Sequence, residues 1–402
     1  MRVALYYPWI YLTSGGERVI LELARRSRHE WKLFTSHFEP DNTFPELRGM
    51  NVSELKPVSV RRDVISTARS AATILLQKLP IADCDALFVL SEGLGDFILF
   101  RNHRKPSLGY CLTPLRAAFD PVYRDQAFRK RGATGRAALA AGLGIFAAVD
   151  KLAWKHYTRV LFLSKEAVKR ARQAGLLGER PPDIVYPATG LSTDRPCECQ
   201  RPYFLVPGRI MWTKNIQLAI RAFRQFLADR PDARDFRLVV AGIVDAKSVS
   251  YLAELRELAG ADSRIEFSLA PSDAELRRLY EECFAVLFTP LNEDLGIVPI
   301  EAMAFGKPVI AVNSGGPTET IQHGVQGFLE NPSPEAFAAR MVELYDNPSR
   351  GWEMGRMGFH RARLFSWDHF VGRIDDELEA IAGMNPADSL AGTAGHQVRK
   401  AD

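Results

Sequence analysis

The chain has 402 residues, of which 47% are apolar and 25% are charged, and its formal net charge at pH 7 is only +4. This composition excludes disordered and fibrous proteins, and the length suits two ordinary domain cores. The five cysteines are few and scattered, which argues against a disulfide framework and a zinc site and indicates a reducing, cytosolic compartment.

Short β-branched or aromatic runs alternate with helical patterns in the first half of the chain. We predict strands at 2–8, 31–36, 86–91, 106–112 and 159–164. No charged n-region with a long apolar core precedes the first strand, so we expect no secretion signal.

A glycine pair follows the first predicted strand. Ser14, Gly15 and Gly16 stand at a strand-to-helix turn, where missing side chains let the backbone approach a ligand closely, although the glycines also suit a plain turn. No G-x-G-x-x-G fingerprint follows this strand, which disfavours a nicotinamide dehydrogenase.

Positive charge is concentrated in the first half of the chain, and the second half is net negative. Much of the excess lies in one stretch that contains only two acids, Asp120 and Asp125, and the basic residues Arg101, Arg104, Lys105, Arg116, Arg124, Arg129, Lys130, Arg131 and Arg136. Such a field attracts polyanions or an anionic membrane surface. No nucleic-acid recognition motif accompanies the charge, so we expect no nucleic-acid partner.

An uncharged apolar run at 137–149 follows this basic stretch. The run is too short to span a bilayer as a helix, so we expect no transmembrane segment. A cationic flank beside an apolar helix is typical of a segment that lies in a membrane interface, whereas the plain alternative is a solvated cationic face. We expect a cytoplasmic protein that contacts the inner membrane face peripherally.

A turn-rich segment that is poor in apolar residues, 187–202, separates the halves and is the predicted linker. Beyond it we predict strands at 203–210, 237–242, 264–268, 285–290 and 308–312, and a helix that begins with a capping box of Ser272 and Glu275. Near-continuous apolar strands that alternate with helices predict parallel sheets covered on both faces.

The predicted fold is therefore α/β, with two doubly wound, Rossmann-like domains that face each other across a cleft. The domains span 1–186 and 203–364. A helix at 365–383 is expected to pack back on the first domain, and 384–402 is expected to be a frayed tail.

Two acids follow the strand predicted at 285–290. Glu293 falls on a loop and Glu301 on the next helix. Gly296 and Ile297 stand at the start of that helix, where unpaired backbone N–H groups bind phosphate. An ionised carboxylate only accepts hydrogen bonds, so these acids suit the vicinal hydroxyls of a ribose or a hexose. Each acid alone would also fit a solvated surface.

Two cations follow the strand predicted at 203–210. Arg209 and Lys214 would lie at one strand end and together would neutralise a diphosphate. Each cation by itself is also typical of an ordinary surface charge.

The segment EDLGIVPIEAMAFGKPVIA with the following SGGPTETI, and the segment GRIMWTKN, resemble the retaining GT-B glycosyltransferases of family 4, which include bacterial mannosyltransferases of surface polysaccharide assembly. The resemblance extends from Met1 to about Ile381. It implies transfer of a hexose from a nucleotide diphosphate sugar to an acceptor hydroxyl with retention of configuration. It assigns catalysis to Glu293, Arg209 and Lys214, and donor binding to Glu301, Asp294, Gly15, Gly16, Gly296 and Ile297.

The segment GYCLTPLRAAFD is similar to a Y-C-H-T-P-x-R segment of some mannosyltransferases in that family. This likeness implies GDP-mannose as the donor and an acceptor-side or sugar-side role for Tyr110, Thr113 and Arg116, which also fit core and rim positions. Leu112 replaces the histidine that contacts the donor sugar in the family. Front-face attack, in which the leaving diphosphate takes the acceptor's proton, does not need that histidine. The alternatives are a catalytically impaired sugar-nucleotide-binding partner in glycan assembly and a GT-B-type epimerase.

We expect no metal and no cofactor. No D-x-D motif lies at a strand end, and two cations with a helix N-terminus provide the charge that Mg²⁺ would otherwise supply. The expected partners are a nucleotide sugar, a glycan or lipid-linked saccharide acceptor, and an anionic membrane surface. No motif specifies the acceptor, the linkage or the oligomeric state.

Overall fold

The computed structural model describes residues 1–60, 63–129, 131–177 and 181–383. Lys130 and the tail predicted at 384–402 lie outside these described residues. The chain divides into two compact units. The first unit comprises Met1–Leu163, Ala167–Val185 and the chain from Asp368, and the second comprises Ser164–Glu166 and Tyr186–Trp367.

The first unit contains a seven-stranded parallel sheet. Its strands are β1 (Arg2–Tyr6), β2 (Glu30–Thr35), β3 (Val52–Glu54), β4 (Ala86–Glu92), β5 (Ser107–Thr113), β6 (Arg159–Phe162) and β7 (Asp183–Ile184). The helices along this part of the chain are α1 (Gly15–Arg26), α2 (Pro45–Arg48), α3 (Val64–Leu76), α4 (Leu99–Asn102), α5 (Arg116–Phe119), α6 (Pro121–Arg129), α7 (Ala133–Trp154) and α8 (Lys165–Gln173). The strand order is β3-β2-β1-β4-β5-β6-β7.

The second unit contains a six-stranded parallel sheet. Its strands are β8 (Tyr203–Pro207), β9 (Arg237–Gly242), β10 (Ile265–Leu269), β11 (Ala285–Phe288), β12 (Val309–Val312) and β13 (Gly327–Glu330). Its helices are α9 (Ile216–Asp229), α10 (Val249–Ala259), α11 (Asp273–Glu282), α12 (Ile297–Ala304), α13 (Pro317–Thr320), α14 (Pro334–Asp346) and α15 (Pro348–Ala362). The strand order is β10-β9-β8-β11-β12-β13.

The central strands are buried along nearly their whole length because helices cover both faces of each sheet. All residues of β4 except the last are buried, and every residue of β11 is buried. Such strands have no polar face, so their sequences read as continuous apolar runs. In the second unit, Phe204 from β8 packs edge-to-face against Phe226 from α9, and both side chains are fully buried.

Every strand that the sequence predicted is present, and the predicted α/β fold with two doubly wound domains is confirmed. The capping box is also confirmed: Ser272 accepts from the Glu275 amide, and Glu275 accepts from the Ser272 amide. Three strands were missed, namely β3, β7 and β13. Each lies at the edge of its sheet, where fewer side chains are buried and the apolar pattern is weaker.

The segment predicted as a linker, 187–202, is part of the second unit. The Cys197 amide donates to the Phe305 carbonyl at 3.0 Å, and the Thr193 hydroxyl donates to the Ala304 carbonyl at 3.1 Å. A Cβ at Gly306 would lie only 2.7 Å from Cβ of Pro196. The segment therefore packs closely along the end of α12.

The last described helix, α16 (Trp367–Ala382), belongs to the first unit from Asp368 onward. Its buried face includes Phe370 and Ile374, which are fully buried. Arg28, which follows α1, forms ion pairs with Asp376 (2.8 Å) and Glu379 (2.7 Å) of this helix. Apolar burial and flanking ion pairs together hold the helix on the unit that precedes it in sequence.

Candidate functional site

The strand order of the second unit reverses between β8 and β11, which are neighbours in the sheet. At such a switch point the connections leave in opposite directions, and ligands bind outside the carboxyl ends of the two strands. Arg209 and Lys214 follow β8, and Glu293 follows β11. The fold thus brings two elements of the predicted site to one sheet edge.

Lys214 is held in place through its backbone. It ends a short 3₁₀ turn, Trp212–Lys214, and the Thr289 hydroxyl donates to its carbonyl at 2.7 Å. The next residue, Asn215, has a left-handed backbone (φ 49°), and Nδ2 of its side chain donates to the Thr289 carbonyl at 3.3 Å. The lysine is therefore tied to the end of β11.

The Lys214 ammonium and the Glu293 carboxylate form an ion pair. Nζ of Lys214 lies 2.9 Å from Oε2 of Glu293, and the two side chains are 22% and 20% exposed. An ammonium group has three donors, so a lysine in one ion pair keeps hydrogen bonds for a second anion. The pair combines an anion-binding and a hydroxyl-binding group at the switch point.

Two glycines shape the loop that carries Glu293. The Gly316 amide donates to the Glu293 carbonyl at 2.9 Å. A Cβ at Gly315 would lie 2.4 Å from the Glu293 carbonyl oxygen, and one at Gly316 would lie 2.0 Å from the Leu295 carbonyl oxygen. No side chain fits in these gaps, so the glycines permit the approach that places Glu293.

Helix α12 begins at this loop. Gly296 has a positive φ of 79°, and a Cβ there would lie 2.9 Å from Cζ of Phe288. No side chain caps the helix start, and Ile297 is 36% exposed. The first amides of the helix are left for another acceptor, and a phosphate in that position remains a prediction. Asp294 is half-buried in the same loop.

Glu301 lies one turn into α12 and is half-buried. Its Oε2 accepts from the Tyr280 hydroxyl at 2.6 Å, and its Oε1 lies 3.4 Å from the Thr189 hydroxyl. Tyr280 is fully buried in α11. The carboxylate is therefore oriented by two segments that are distant from it in sequence.

Arg209 is exposed and makes no hydrogen bond or ion pair with any residue that the structure describes. Together with Gly208, Lys214, Thr289 and Pro290 it lines a small depression at the ends of β8 and β11. Its guanidinium can therefore meet an anion there without first breaking an internal contact.

The first unit has its own switch point between β1 and β4. A Cβ at Gly16 would lie 2.8 Å from the Tyr7 hydroxyl oxygen, whereas Gly15 faces open space. The Tyr7 hydroxyl donates to Oε2 of Glu92 at 2.9 Å. Gly16 thus makes room for a tyrosine that reaches a half-exposed carboxylate at the end of β4.

Glu17 fixes the loop that leads into α1. Its carboxylate accepts from the Leu12 amide at 3.1 Å and from the Ser14 hydroxyl. Burial raises the pKa of Glu17, while these donors act in the opposite direction. The glycine pair is therefore presented by a buried, well-bonded turn.

Tyr110 is a core residue. It is fully buried, its hydroxyl donates to the Val185 carbonyl at 2.8 Å, and its ring packs edge-to-face on Phe370. The prediction that it faces the acceptor or the sugar is wrong for this structure, because no part of the side chain reaches the surface. β5 is buried on both faces, so either direction of a side chain in the middle of this strand leads into the core.

Thr113 and Arg116 belong to a largely buried network at the end of β5. Arg116 donates to Oδ2 of Asp120 at 2.7 Å, and Arg170 lies 3.5 Å from the same oxygen. Arg170 also donates to the Thr113 hydroxyl at 3.2 Å. The acceptor-side roles predicted for Thr113 and Arg116 remain predictions.

Leu112 lies where β4 and β5 lose their regular register. Cys111 pairs with Ser91 and Thr113 with Glu92, so Leu112 has no register partner in β4. Bulges of this kind change the direction of a side chain at the end of a strand. Leu112 is half-buried.

Helix α7 is longer than the apolar run from which it was predicted. It has 22 residues and is long and apolar enough to cross a membrane by length and composition. The expectation that no segment is long enough was therefore wrong, because the helix continues past charged residues at both ends of the run. Only Asp150, Ala153 and Trp154 of this helix are buried, and Ile145 is 68% exposed.

Sequence reasoning missed Tyr280, Thr289 and Glu92. Thr289 and Glu92 stand at the ends of predicted strands, a position that could have identified them. Tyr280 had no such signal, since its helical periodicity indicates only a core position. Within the described residues, no three His, Cys, Asp or Glu side chains are grouped so as to hold a metal ion.

Comparison with known proteins finds a family model that matches part of the chain and relatives that are similar over most of it. The family model "Glycosyl transferases group 1" matches residues 197–360. The α-1,3/1,6-mannosyltransferase ALG2 of Mus musculus is 29% identical over 403 residues, covering 90% of this chain and 92% of the relative. The human ALG2 is 29% identical over 396 residues, covering 87% and 88%.

Two solved structures share the fold. HepE of Anabaena, solved in complex with UDP and glucose, has a TM-score of 0.70 at 17% identity and covers 94% of this chain and 100% of its own. WaaG, a glycosyltransferase involved in lipopolysaccharide biosynthesis, has a TM-score of 0.65 at 16% identity, with coverages of 94% and 99%.

Proposed function

Because this chain belongs to the retaining GT-B glycosyltransferases of the family 4 type, we propose that it transfers a mannosyl residue from GDP-mannose to a hydroxyl of a glycan or lipid-linked acceptor. The mannosyltransferases to which it is similar over most of its length support the sugar and the glycan acceptor. The Y-C-x-T-P-x-R segment is similar to a segment of some mannosyltransferases in that family, and this likeness supports guanosine as the nucleoside of the donor.

The observation that carries the proposal is the Lys214–Glu293 pair at the β8–β11 switch point, together with Arg209, which has no partner among the described residues and lines the same depression as Lys214. Lys214 and Arg209 would hold the diphosphate, assisted by the amides of Gly296 and Ile297. Glu293 would accept from a hydroxyl of the donor sugar, and Glu301 would accept from the hydroxyls of the nucleotide ribose. A binding site for a charged sugar nucleotide needs this mixture of cations, free amides and a carboxylate.

The proposed reaction exchanges one bond at the anomeric carbon. The bond to the β-phosphate oxygen breaks, a bond to the acceptor oxygen forms on the same face, and the acceptor's proton passes to the leaving diphosphate. Negative charge grows on the diphosphate as it leaves, and Arg209 and Lys214 would stabilise that charge. We propose that no metal is required, so EDTA should not reduce the rate.

One observation favours a second candidate, a sugar-nucleotide-binding protein without turnover. Leu112 is aliphatic and sits in a register shift at the strand end where the family carries a histidine. A sugar-binding protein would retain the donor site of the second unit and show nucleotide binding alone.

The experiment has two stages. A thermal-shift screen compares GDP, GDP-mannose, UDP and UDP-glucose, because a ligand that binds only the folded state raises its stability. Transfer from the selected donor to a mannose-terminated glycan is then followed by mass spectrometry. We expect the largest shift with GDP-mannose and a mannosylated product. A thermal shift without product, whichever acceptor is offered, would support the second candidate. No thermal shift with any of the nucleotides would refute both candidate functions.

Membrane contact is a further part of the proposal. Helices α3 and α7 both pack on the turn at 93–98. Ile65 and Leu76 of α3 and Ile145 of α7 are exposed, and we propose that these apolar side chains contact the lipid. Arg129 and Arg131 precede α7 in the sequence and Arg136 lies in its first turn, where they would meet anionic headgroups.

Flotation with liposomes tests this membrane contact. Wild-type protein should float with vesicles that contain anionic lipid. With vesicles of neutral lipid it should stay at the bottom of the gradient. Ile145→Asp should weaken flotation, while Leu364→Asp, at a residue of the second unit that is 70% exposed, should not. Equal flotation with both vesicle types would refute an electrostatic contribution.

A further inference from the structure

The Glu301 carboxylate accepts a short hydrogen bond from a tyrosine on a different helix. The Tyr280 hydroxyl lies 2.6 Å from Oε2 of Glu301, a short distance typical of a hydrogen bond to an ionised acceptor. Glu301 and Tyr280 lie on different helices, α12 and α11. The bond therefore depends on packing within the second unit and not on local sequence.

The ring of Tyr280 cannot change its direction without disturbing the core. The side chain is fully buried, and it stacks on Phe305 with ring centroids 5.3 Å apart and planes 4° from parallel. Burial raises the pKa of Tyr280, and the Glu301 charge raises it further, so the hydroxyl remains a donor at neutral pH. Tyr280 is a rigid support for the carboxylate.

The second contact to Glu301 is weaker. The Thr189 hydroxyl lies 3.4 Å from Oε1 of Glu301 and 3.2 Å from the Leu191 carbonyl oxygen. A hydroxyl has one proton, so these two acceptors compete for it. Thr189 also accepts from the Leu191 amide at 2.9 Å, which makes it chiefly part of its own turn.

We propose that Tyr280 is a positioning residue for nucleotide recognition, which acts by holding the Glu301 carboxylate in the orientation that meets the two ribose hydroxyls. This inference rests on the proposed function, which assigns the ribose to Glu301. Glutamate has several rotatable bonds, and a carboxylate that is already fixed loses less entropy when it binds. Tyr280 thereby increases discrimination between ribonucleotides and nucleotides without ribose hydroxyls.

The test compares GDP with 2′,3′-dideoxy-GDP by titration calorimetry on wild-type protein and on Tyr280→Phe, which removes only the hydroxyl. We expect the affinity for GDP to fall about fivefold, the order that the loss of one net hydrogen bond gives, and the affinity for the dideoxy nucleotide to stay unchanged. UDP and 2′,3′-dideoxy-UDP replace this pair if the nucleotide screen selects uridine.

Tyr203→Phe is the matched control. The Tyr203 hydroxyl is in the same unit and donates to the Leu279 carbonyl at 2.8 Å, so its removal costs a comparable hydrogen bond away from Glu301. This variant should bind both nucleotides as the wild type does. Equal losses for both nucleotides in Tyr280→Phe would indicate a general structural role and overturn the proposal, as would no loss for either.

Glu301→Gln separates this inference from the proposed function. If Glu301→Gln still prefers GDP over the dideoxy nucleotide as strongly as the wild type does, the assignment of the ribose to Glu301 is wrong. If that preference disappears in Glu301→Gln but persists in full in Tyr280→Phe, only the role of Tyr280 is refuted.

Discussion

Replacing Lys214 by methionine removes the ammonium group and keeps a side chain of similar length. Lys214 lies 2.9 Å from Glu293 at the β8–β11 switch point, where the leaving diphosphate would gather charge. Loss of one preorganised donor of this kind typically costs about 10²- to 10³-fold in kcat, or about 3–4 kcal/mol. We expect a decrease of that order in kcat/KM.

Stability should change much less than activity. The Lys214–Glu293 pair keeps about one fifth of each side chain exposed, and ion pairs with access to water contribute roughly 1 kcal/mol or less. A change of that size moves the melting temperature of a domain this large by only about 2–4 °C. A large loss of activity with a small thermal shift would therefore identify a role in the reaction.

The assay is steady-state mannosyl transfer from GDP-mannose, with thermal unfolding measured on the same preparations. The control is Arg237→Met, which removes the cation of the Arg237–Glu266 pair (3.1 Å) at the opposite, amino end of the same sheet. This control should retain wild-type kcat/KM. If Lys214→Met stays within about threefold of the wild type, the assignment of the diphosphate to Lys214 is refuted.

Three further predictions concern the glycine loop, a buried acid and the metal. Gly316→Ala should abolish GDP binding in calorimetry, since its Cβ would lie 2.0 Å from the Leu295 carbonyl oxygen and displace the Glu293 loop; Gly372→Ala, in open space, should not. Burial, with Asp96 as a second cause, raises the pKa of Asp150 to about 9, so the contribution of this acid to stability is full below about pH 4 and is lost as the pH rises. Between pH 5 and 8, urea unfolding should therefore show Asp150→Asn gaining at least ~1 kcal/mol of stability relative to the wild type, and a difference that does not change with pH would contradict this. Transfer should proceed at the same rate in EDTA, and a loss restored by Mg²⁺ would contradict this.

The sequence placed the site residues of the second unit more accurately than those of the first. Glu293 and Lys214 follow strong apolar strands, and a residue just past such a strand in a parallel sheet lies at the ligand-binding edge. Tyr110 lies in the middle of β5, a strand that is buried on both faces, and not past its carboxyl end. The family likeness pointed to a ligand contact, whereas the position within the strand decides that the side chain is in the core.

The helix near the basic stretch shows a second limit of sequence reasoning. An uncharged run measures only the apolar part of a helix, and α7 continues into Lys151 at one end and past Arg136 at the other. Asp150, within the helix, is buried, and its Oδ1 has no hydrogen-bond partner among the described residues. Charge along a sequence therefore does not reveal where a helix ends or which charges it buries.

The sequence by itself determined the two parallel α/β sheets, since strands covered on both faces must be apolar along their length, and it determined the acids, cations and glycines that follow those strands. The order of the strands, the edge strands β3, β7 and β13, and the pairing of Lys214 with Glu293 were decided only by the tertiary structure. So was the support of Glu301 by Tyr280. Such contacts join residues far apart in the chain, and local patterns of hydrophobicity and charge carry no information about which distant partner a side chain will meet.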